Sequence, residues 1–220
     1  MPAITDSHFT GPDGNRYFRR NALEAGVGVW GEKKTPISQA NYLAAMGSIK
    51  YNLLEGKISK SAPVEIDWAH ESTAAVEASA KVYFVAGGTA AFTHSRAREA
   101  NLKLVRFFIY EETLRRLLNN DADIVRQGLK KEGGDARVCS CSWVAMTQEL
   151  SDRFSTSASL DVSGTLASGL SITANGGAAW HGSETIKFTA ASQFAYGLHK
   201  VKKWDGDVIN ELEGDHQSIG

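Results

Sequence analysis

Gly26-Val27-Gly28-Val29-Trp30-Gly31 spells a G-x-G-x-x-G string, whose chemistry elsewhere is to cradle a dinucleotide pyrophosphate. That use needs the string between a strand and a helix N-terminus, so that backbone donors meet the phosphates. Here Glu32-Lys33-Lys34-Thr35-Pro36 follows, a helix starts late, and no βαβ rhythm surrounds it, which speaks against a nucleotide site. The six histidines (His8, His70, His94, His181, His199, His216) lack a metal-ligand spacing, so neither a metal nor another cofactor is expected. Trp68-Ala69-His70-Glu71 is too short to read as an acid–base pair. Cys139 falls in an apparent strand with no identifiable histidine partner, so a structural thiol is a better reading than a nucleophile. No catalytic constellation assembles, and an enzyme is not expected. A weaker alternative keeps Cys139 as the nucleophile of a hydrolase. Lys200, Lys202 and Lys203, with Trp204 at their edge, suit phospholipid headgroups. They form no strong basic stripe, so nucleic acid is not an expected partner.

The elements that must position any site fit one domain of 220 residues, long enough to bury a core. Hydrophobic residues at 42% and charged residues at 22% exclude the disordered and fibrous classes. No run of about 18 apolar residues occurs, so no transmembrane helix is expected. Met1 to Thr10 lacks a charged start followed by an apolar stretch, which predicts no signal peptide and a cytoplasmic resting form. Cys139 and Cys141 read as reduced thiols, because a disulfide two residues apart is strained. The net charge of −1 conceals an asymmetry. Asp205, Asp207, Glu211, Glu213 and Asp215 crowd residues 205–220 with no Lys or Arg, leaving residues 1–204 mildly basic. The pattern divides the chain into a 1–204 body and a 205–220 acidic tail.

Residues 1–25 read as loop-rich, with a basic-aromatic patch at Arg16-Tyr17-Phe18-Arg19-Arg20. A short strand is expected over Gly26–Trp30, a helix opening at Thr35-Pro36 and stopping at Gly47, and a strand over Ile49–Leu54. The period then becomes two. Ala74, Val76, Ala78, Ala80, Val82, Phe84 and Ala86 form one face, Gly87-Gly88 is a turn, and Ala90, Phe92, His94 and Arg96 return. Leu102–Tyr110 reads as a core strand. Glu111-Glu112 opens a helical stretch whose Leu114, Leu117 and Leu118 share a face, and Gly133-Gly134 stops it. A second alternating region carries Phe154, Ala158, Leu160, Val162, Leu166, Leu170, Ile172 and Ala174 opposite Ser, Thr and Asp, with a tight turn at Ser168-Gly169. Thr185–Phe188 and Phe194–Val201 close the chain. The plan is α+β: a twisted antiparallel sheet with two long hairpins and packed helices.

Long faces of small apolar residues opposite serine match barrel strands, which need about 10 residues to cross a bilayer when tilted. An antiparallel sheet packed on one side alternates in the same way. The alternative is therefore a soluble α+β binding module with no membrane activity.

From about Glu65 to Trp204 the order of elements resembles the pore-forming domain of gasdermins. The resemblance rests on the first hairpin around Ala74–Phe92, on the strand and leucine-rich helix from Leu102 to Leu118, on the helix, glycine stop and following strand from Ile124 to Val138, and on the closing strands Glu184–Val201 with Phe194-Ala195-Tyr196. It implies a cell-death effector that binds an acidic phospholipid membrane, inserts two hairpins and oligomerises into a β-barrel pore in the cell membrane. Closure of that barrel would be obligatory, because only closed sheets satisfy their backbone in lipid. By the same resemblance Ala74, Val76, Ala78, Ala80, Val82, Phe84, Leu160, Val162, Leu166, Leu170, Ile172 and Ala174 would face lipid. Ser155, Ser157, Ser159, Asp161 and Ser163 would face the lumen, and Arg16, Arg19, Arg20, Lys33 and Lys34 would meet headgroups. Animal gasdermins carry a large inhibitory C-terminal domain, which is not expected here. Bacterial members carry a short inhibitory tail and a lipidated cysteine near the N-terminus, and no cysteine precedes Cys139. Two triggers stay open: removal of the acidic tail by an activating protease, or assembly with a variant of the same chain, as in fungal regulator-of-cell-death proteins.

Overall fold

The computed structural model describes residues 2–78, 80–85, 88–156, 159–163, 170–175, 183–188 and 193–217. The chain opens with β1 (Ala3–Ile4), β2 (His8–Thr10), β3 (Arg16–Phe18), β4 (Val29–Lys34), β5 (Tyr42–Ser48), α1 (Tyr51–Leu54), β6 (Ser59–Lys60) and β7 (Val64–Glu65). It continues through α2 (Thr73–Glu77), β8 (Val82–Val85), β9 (Gly88–Ala91), α3 (His94–Glu99), β10 (Lys103–Phe108), α4 (Glu111–Asn120) and α5 (Asp123–Glu132). It ends with β11 (Ala136–Met146), α6 (Gln148–Thr156), β12 (Ser159–Ser163), β13 (Leu170–Asn175), β14 (Ser183–Phe188), β15 (Gln193–Asp205) and β16 (Val208–Asp215). The fold is mixed α+β, built on one large, mostly antiparallel sheet, with β12-β13-β14 forming a separate three-stranded sheet.

β11 is the axis of the large sheet. All of its residues are buried, and it pairs antiparallel with β10 on one side and β15 on the other. Burial on both faces explains why Val138-Cys139-Ser140-Cys141-Ser142-Trp143-Val144-Ala145-Met146 carries no charge. On one face Val105, Phe107, Val138, Val144 and Met146 pack with Leu114, Leu117 and Leu118 of α4 and Val125 and Leu129 of α5. The other face carries Phe9, Tyr17, Trp68, Leu104, Trp143 and Phe194. Each such side chain contributes about 1.5–3 kcal/mol by leaving water. The expected core strand over Leu102–Tyr110 is β10. The expected helical stretch is α4 and α5, with Glu111 and Glu112 in the first turn of α4, Lys130 and Lys131 in the last turn of α5, and Gly133 at φ 67° ending it.

Several expectations are corrected. Residues 35–47 form no helix, because Thr35 and Pro36 sit in the turn of the β4–β5 hairpin, where Gln39 N–H bonds Pro36 C=O and Ser38 is left-handed. The G-x-G-x-x-G string belongs to the same hairpin. Gly28 adopts φ 85°, and a Cβ on Gly31 would collide with the Ala44 carbonyl across the ladder. Residues 51–54 are helical rather than extended, tucking Leu54 into the core. The face from Ala74 to Phe84 is not one strand. Ser72 caps α2 by accepting from Ala75 N–H, so Ala74 and Val76 are helical, Ala78 ends the helix, Ala80 is a buried connector, and only Val82 and Phe84 lie on a strand. His94 and Arg96 belong to α3, capped by Thr93, and Phe154 belongs to α6.

The acidic stretch is a strand of the large sheet. β16 pairs with β15 from Leu198↔Asp215 to Asp205↔Val208, and its Ile209 and Leu212 are buried in the core.

Candidate functional site

Four neighbouring strands end together. In the order β7, β10, β11, β15 they are mutually antiparallel, with Lys103 opposite both Glu65 and Met146, and Val144 opposite Gln193. The chain therefore leaves these four strands after Glu65 and returns to them at Lys103, then leaves after Met146 and returns at Gln193, all at one end. Lys103, buried, donates to Glu65 across this end at 2.7 Å. Residues 66–102 and 147–192, the two intervening segments, hold the two alternating regions. Each is long enough for two membrane crossings at about 9–11 residues apiece.

The first segment is folded back on the body. β8 and β9 pair from Val82↔Ala91 to Val85↔Gly88. Phe84 also pairs in parallel with Met146, and Thr147 N–H bonds Phe84 C=O at 3.0 Å. Because Lys103 occupies the β10 side of Met146, β8 sits on the side along which β15 would lengthen. Trp68, Phe92 and Phe194 meet at ring separations of 6.0–6.1 Å. The second segment begins in α6, whose Leu150 and Phe154 enter the core, Phe154 edge-on to Phe107 at 5.6 Å. Beyond α6 the meander pairs Leu160 with Ala174, Val162 with Ile172, and Ile172 with Ile186. The expected hairpin thus places Leu160, Val162, Leu170, Ile172 and Ala174 on paired strands in one apolar register. Ala86, Gly87, Ala158, Leu166 and the Ser168-Gly169 turn lie outside the described residues, as does His181.

The expected headgroup residues separate. Arg19 is fully buried: its guanidinium donates to the carbonyls of Thr5 at 2.8 Å and Val76 at 3.0 Å, and to Ala75 C=O, and it lies 4.3 Å over the Phe194 ring. Burial lowers its pKa to about 10. In this conformation it fastens α2 rather than meeting a membrane. Lys33 is also withdrawn, bonded to both oxygens of Asp215 at 2.9 Å. Arg20 lies against Tyr42 and bonds Gln39, and Lys34 pairs with Glu32, so Arg16, Arg20 and Lys34 remain on or near the surface. Lys200 and Lys202 face Glu213 and Glu211 across β15–β16 at 3.0 and 2.8 Å. Both cysteines are free and buried. Burial raises the Cys139 thiol well above its ordinary value and the Cys141 thiol to about 12, which keeps each protonated and structural.

A second constellation escapes sequence inspection. Ser140 Oγ lies 2.8 Å from His199 Nδ1, and His199 Nε2 lies 3.2 Å from Glu111 Oε2. These residues come from β11, β15 and the first turn of α4, with no spacing that could announce them. They line a cavity of about 430 Å³ together with Tyr17, Arg106 and Phe108. Among the described residues no group of three or more His, Cys, Asp or Glu side chains forms a metal site.

The fold and these two sites define an α+β protein with paired segments emerging from one end of its central strands. No protein-family model, curated protein or solved structure matches the chain.

Proposed function

We propose that this chain is a gasdermin-like pore-former that rests as a water-soluble protomer, binds acidic phospholipid and assembles into an oligomeric β-barrel. The observation that carries the reading is the common end of β7, β10, β11 and β15. Lengthening those strands through residues 66–102 and 147–192 yields a continuous four-stranded antiparallel sheet of two hairpins. Copies set side by side can close such sheets into a barrel, the only sheet form that leaves no unsatisfied edge in lipid. The described meander strands, of 5 or 6 residues, are shorter than a crossing, so the membrane form needs them to lengthen at the expense of the intervening loops and of α6. Leu150 and Phe154 share a helix face as i and i+4. They also share parity with Leu160 and Val162, so the same residues supply one apolar face in either conformation.

The test is dye release from liposomes with and without anionic lipid, using the full chain. A chain ending at Trp204 is unsuitable, because it would lose Ile209 and Leu212 from the core. Release that depends on acidic lipid is expected, and Leu160→Asp or Val162→Asp should abolish it, because a charge on a lipid-facing strand costs about 2–4 kcal/mol near the bilayer centre. Release undiminished in both variants would defeat the reading. Failure of the full chain to bind or permeabilise acidic liposomes, with the aspartate variants merely less stable, would favour the soluble binding module.

A further inference from the structure

We infer that Ser140, His199 and Glu111 form a serine–histidine–glutamate relay that hydrolyses a small carboxylic ester in the adjoining cavity, an activity separate from the strand ends. The relay has the connectivity of an activated nucleophile: a hydroxyl within hydrogen-bond reach of a base, and a carboxylate orienting that base. Glu111 accepts the His199 Nε2 proton at 3.2 Å, which fixes the tautomer and leaves Nδ1 to accept from the Ser140 hydroxyl at 2.8 Å. The other acceptor near Ser140, the Gly197 carbonyl, is farther at 3.3 Å. Burial lowers the His199 pKa despite Glu111, with His216 adding to the depression, so the ring is neutral at physiological pH and able to take a proton.

The backbone supplies the reason Ser140 reaches this partner. The β11–β15 register slips between Cys139↔Leu198 and Cys141↔Gly197, making Ser140 the extra residue of a β-bulge. Bulges redirect side chains beside functional sites. The cavity, at about 430 Å³, lies in the range of small-molecule pockets. Tyr17, Phe108 and Tyr110 give it aromatic walls. Arg106 also lines it, its charge already met by Asp13 at 3.0 Å, while its buried Nε has no hydrogen-bond partner among the described residues.

In the acylation step Ser140 Oγ bonds to the ester carbonyl carbon as Nδ1 takes the hydroxyl proton. Collapse of the adduct breaks the ester C–O bond, and the imidazolium proton leaves with the alcohol. A water deprotonated by His199 then attacks the acyl group, the bond to Oγ breaks, the proton returns to Ser140, and a carboxylic acid departs.

The experiment is labelling of the folded full chain with a fluorescent fluorophosphonate, with the adduct located by peptide mass spectrometry, alongside hydrolysis of p-nitrophenyl acetate. Adduct on Ser140 is expected, absent from Ser140→Ala, with hydrolysis falling on the order of 10²-fold in His199→Gln. Glu111→Gln, at a half-exposed helix start, keeps the test valid should the buried variants fold poorly, and its hydrolysis should fall at least about tenfold with little change in melting temperature. No adduct on the folded wild type, an adduct that persists in Ser140→Ala, or unchanged hydrolysis in Glu111→Gln would each overturn the assignment.

Discussion

Residues 66–102 and residues 147–192 leave the same end of the central strands, yet they are anchored to the body differently. The first segment is held both by directional bonds, from Arg19 to the carbonyls of Ala75 and Val76 and from Ile4 N–H to Glu71, and by buried apolar side chains, Trp68, Val76, Phe84 and Phe92 among them. The second segment places Leu150 and Phe154 of α6 in the core, and its meander is paired within its own sheet. The order of release under the pore reading follows. β8 lies on the edge of β11 that a lengthened β15 needs, so the first segment must lift before the second can extend.

Locking that edge has the largest expected effect. Phe84→Cys combined with Met146→Cys places two thiols on paired residues of β8 and β11, while Cys139 and Cys141 stay buried. Under oxidising conditions the cross-linked protein should bind acidic liposomes and release no dye, and reductant should restore release. Undiminished release by the fully cross-linked protein would show that β8 need not move.

The two modes of retention can also be separated one at a time. Phe154→Ala removes a fully buried ring from beside Phe107 and should cost about 3–5 kcal/mol by chemical denaturation. Its proteolytic cuts should appear within residues 147–192. Arg19→Met fills similar space but strands three carbonyls, which should cost about 3 kcal/mol and move the cuts to residues 66–102. Identical cleavage maps for the two variants would erase the distinction between the two anchors.

Legibility in the sequence divides along related lines. Elements whose period and end signals agree were readable: β10, the α4–α5 pair with its acidic start and glycine stop, and the placing of Leu160, Val162, Ile172 and Ala174 on strands, though not their register. Alternation misled where local capping outweighed it, as at Ser72 over α2 and Thr93 over α3. Capping misled in turn at Thr35-Pro36, where the β4–β5 ladder recruits the same residues into a turn. Charge was the poorest guide to exposure. Arg19 and Lys33 read as surface residues because carbonyls and Asp215 far along the chain, which satisfy them, leave no local trace. The Ser140–His199–Glu111 contact is equally non-local, and the bulge that creates it is a register property of two strands.

The opposite end of the sheet supplies the control for this comparison, and the smallest expected effect. Asp215 on β16 accepts from Arg137 at 2.5 Å and from Lys33 at 2.9 Å, tying β16 to β11 and β4. Burial alone would raise its pKa, but the bonds from Arg137 and Lys33 outweigh burial and hold it below the ordinary value of 3.8. A depressed carboxyl contributes stability that is fully present above its unfolded pKa and is lost as pH falls through the folded one. Asp215→Asn should therefore cost about 2 kcal/mol at pH 7, and the gap to wild type should close as pH drops below about 4. Among the described residues the Asp215 carboxylate bonds only Lys33 and Arg137, outside both segments, so the variant's susceptibility should rise in residues 66–102 and 147–192 alike, in proportion to its global stability. Selective exposure of one segment would mean that β16 communicates with the strand ends through β15, and the two ends of the sheet could not then be treated as independent.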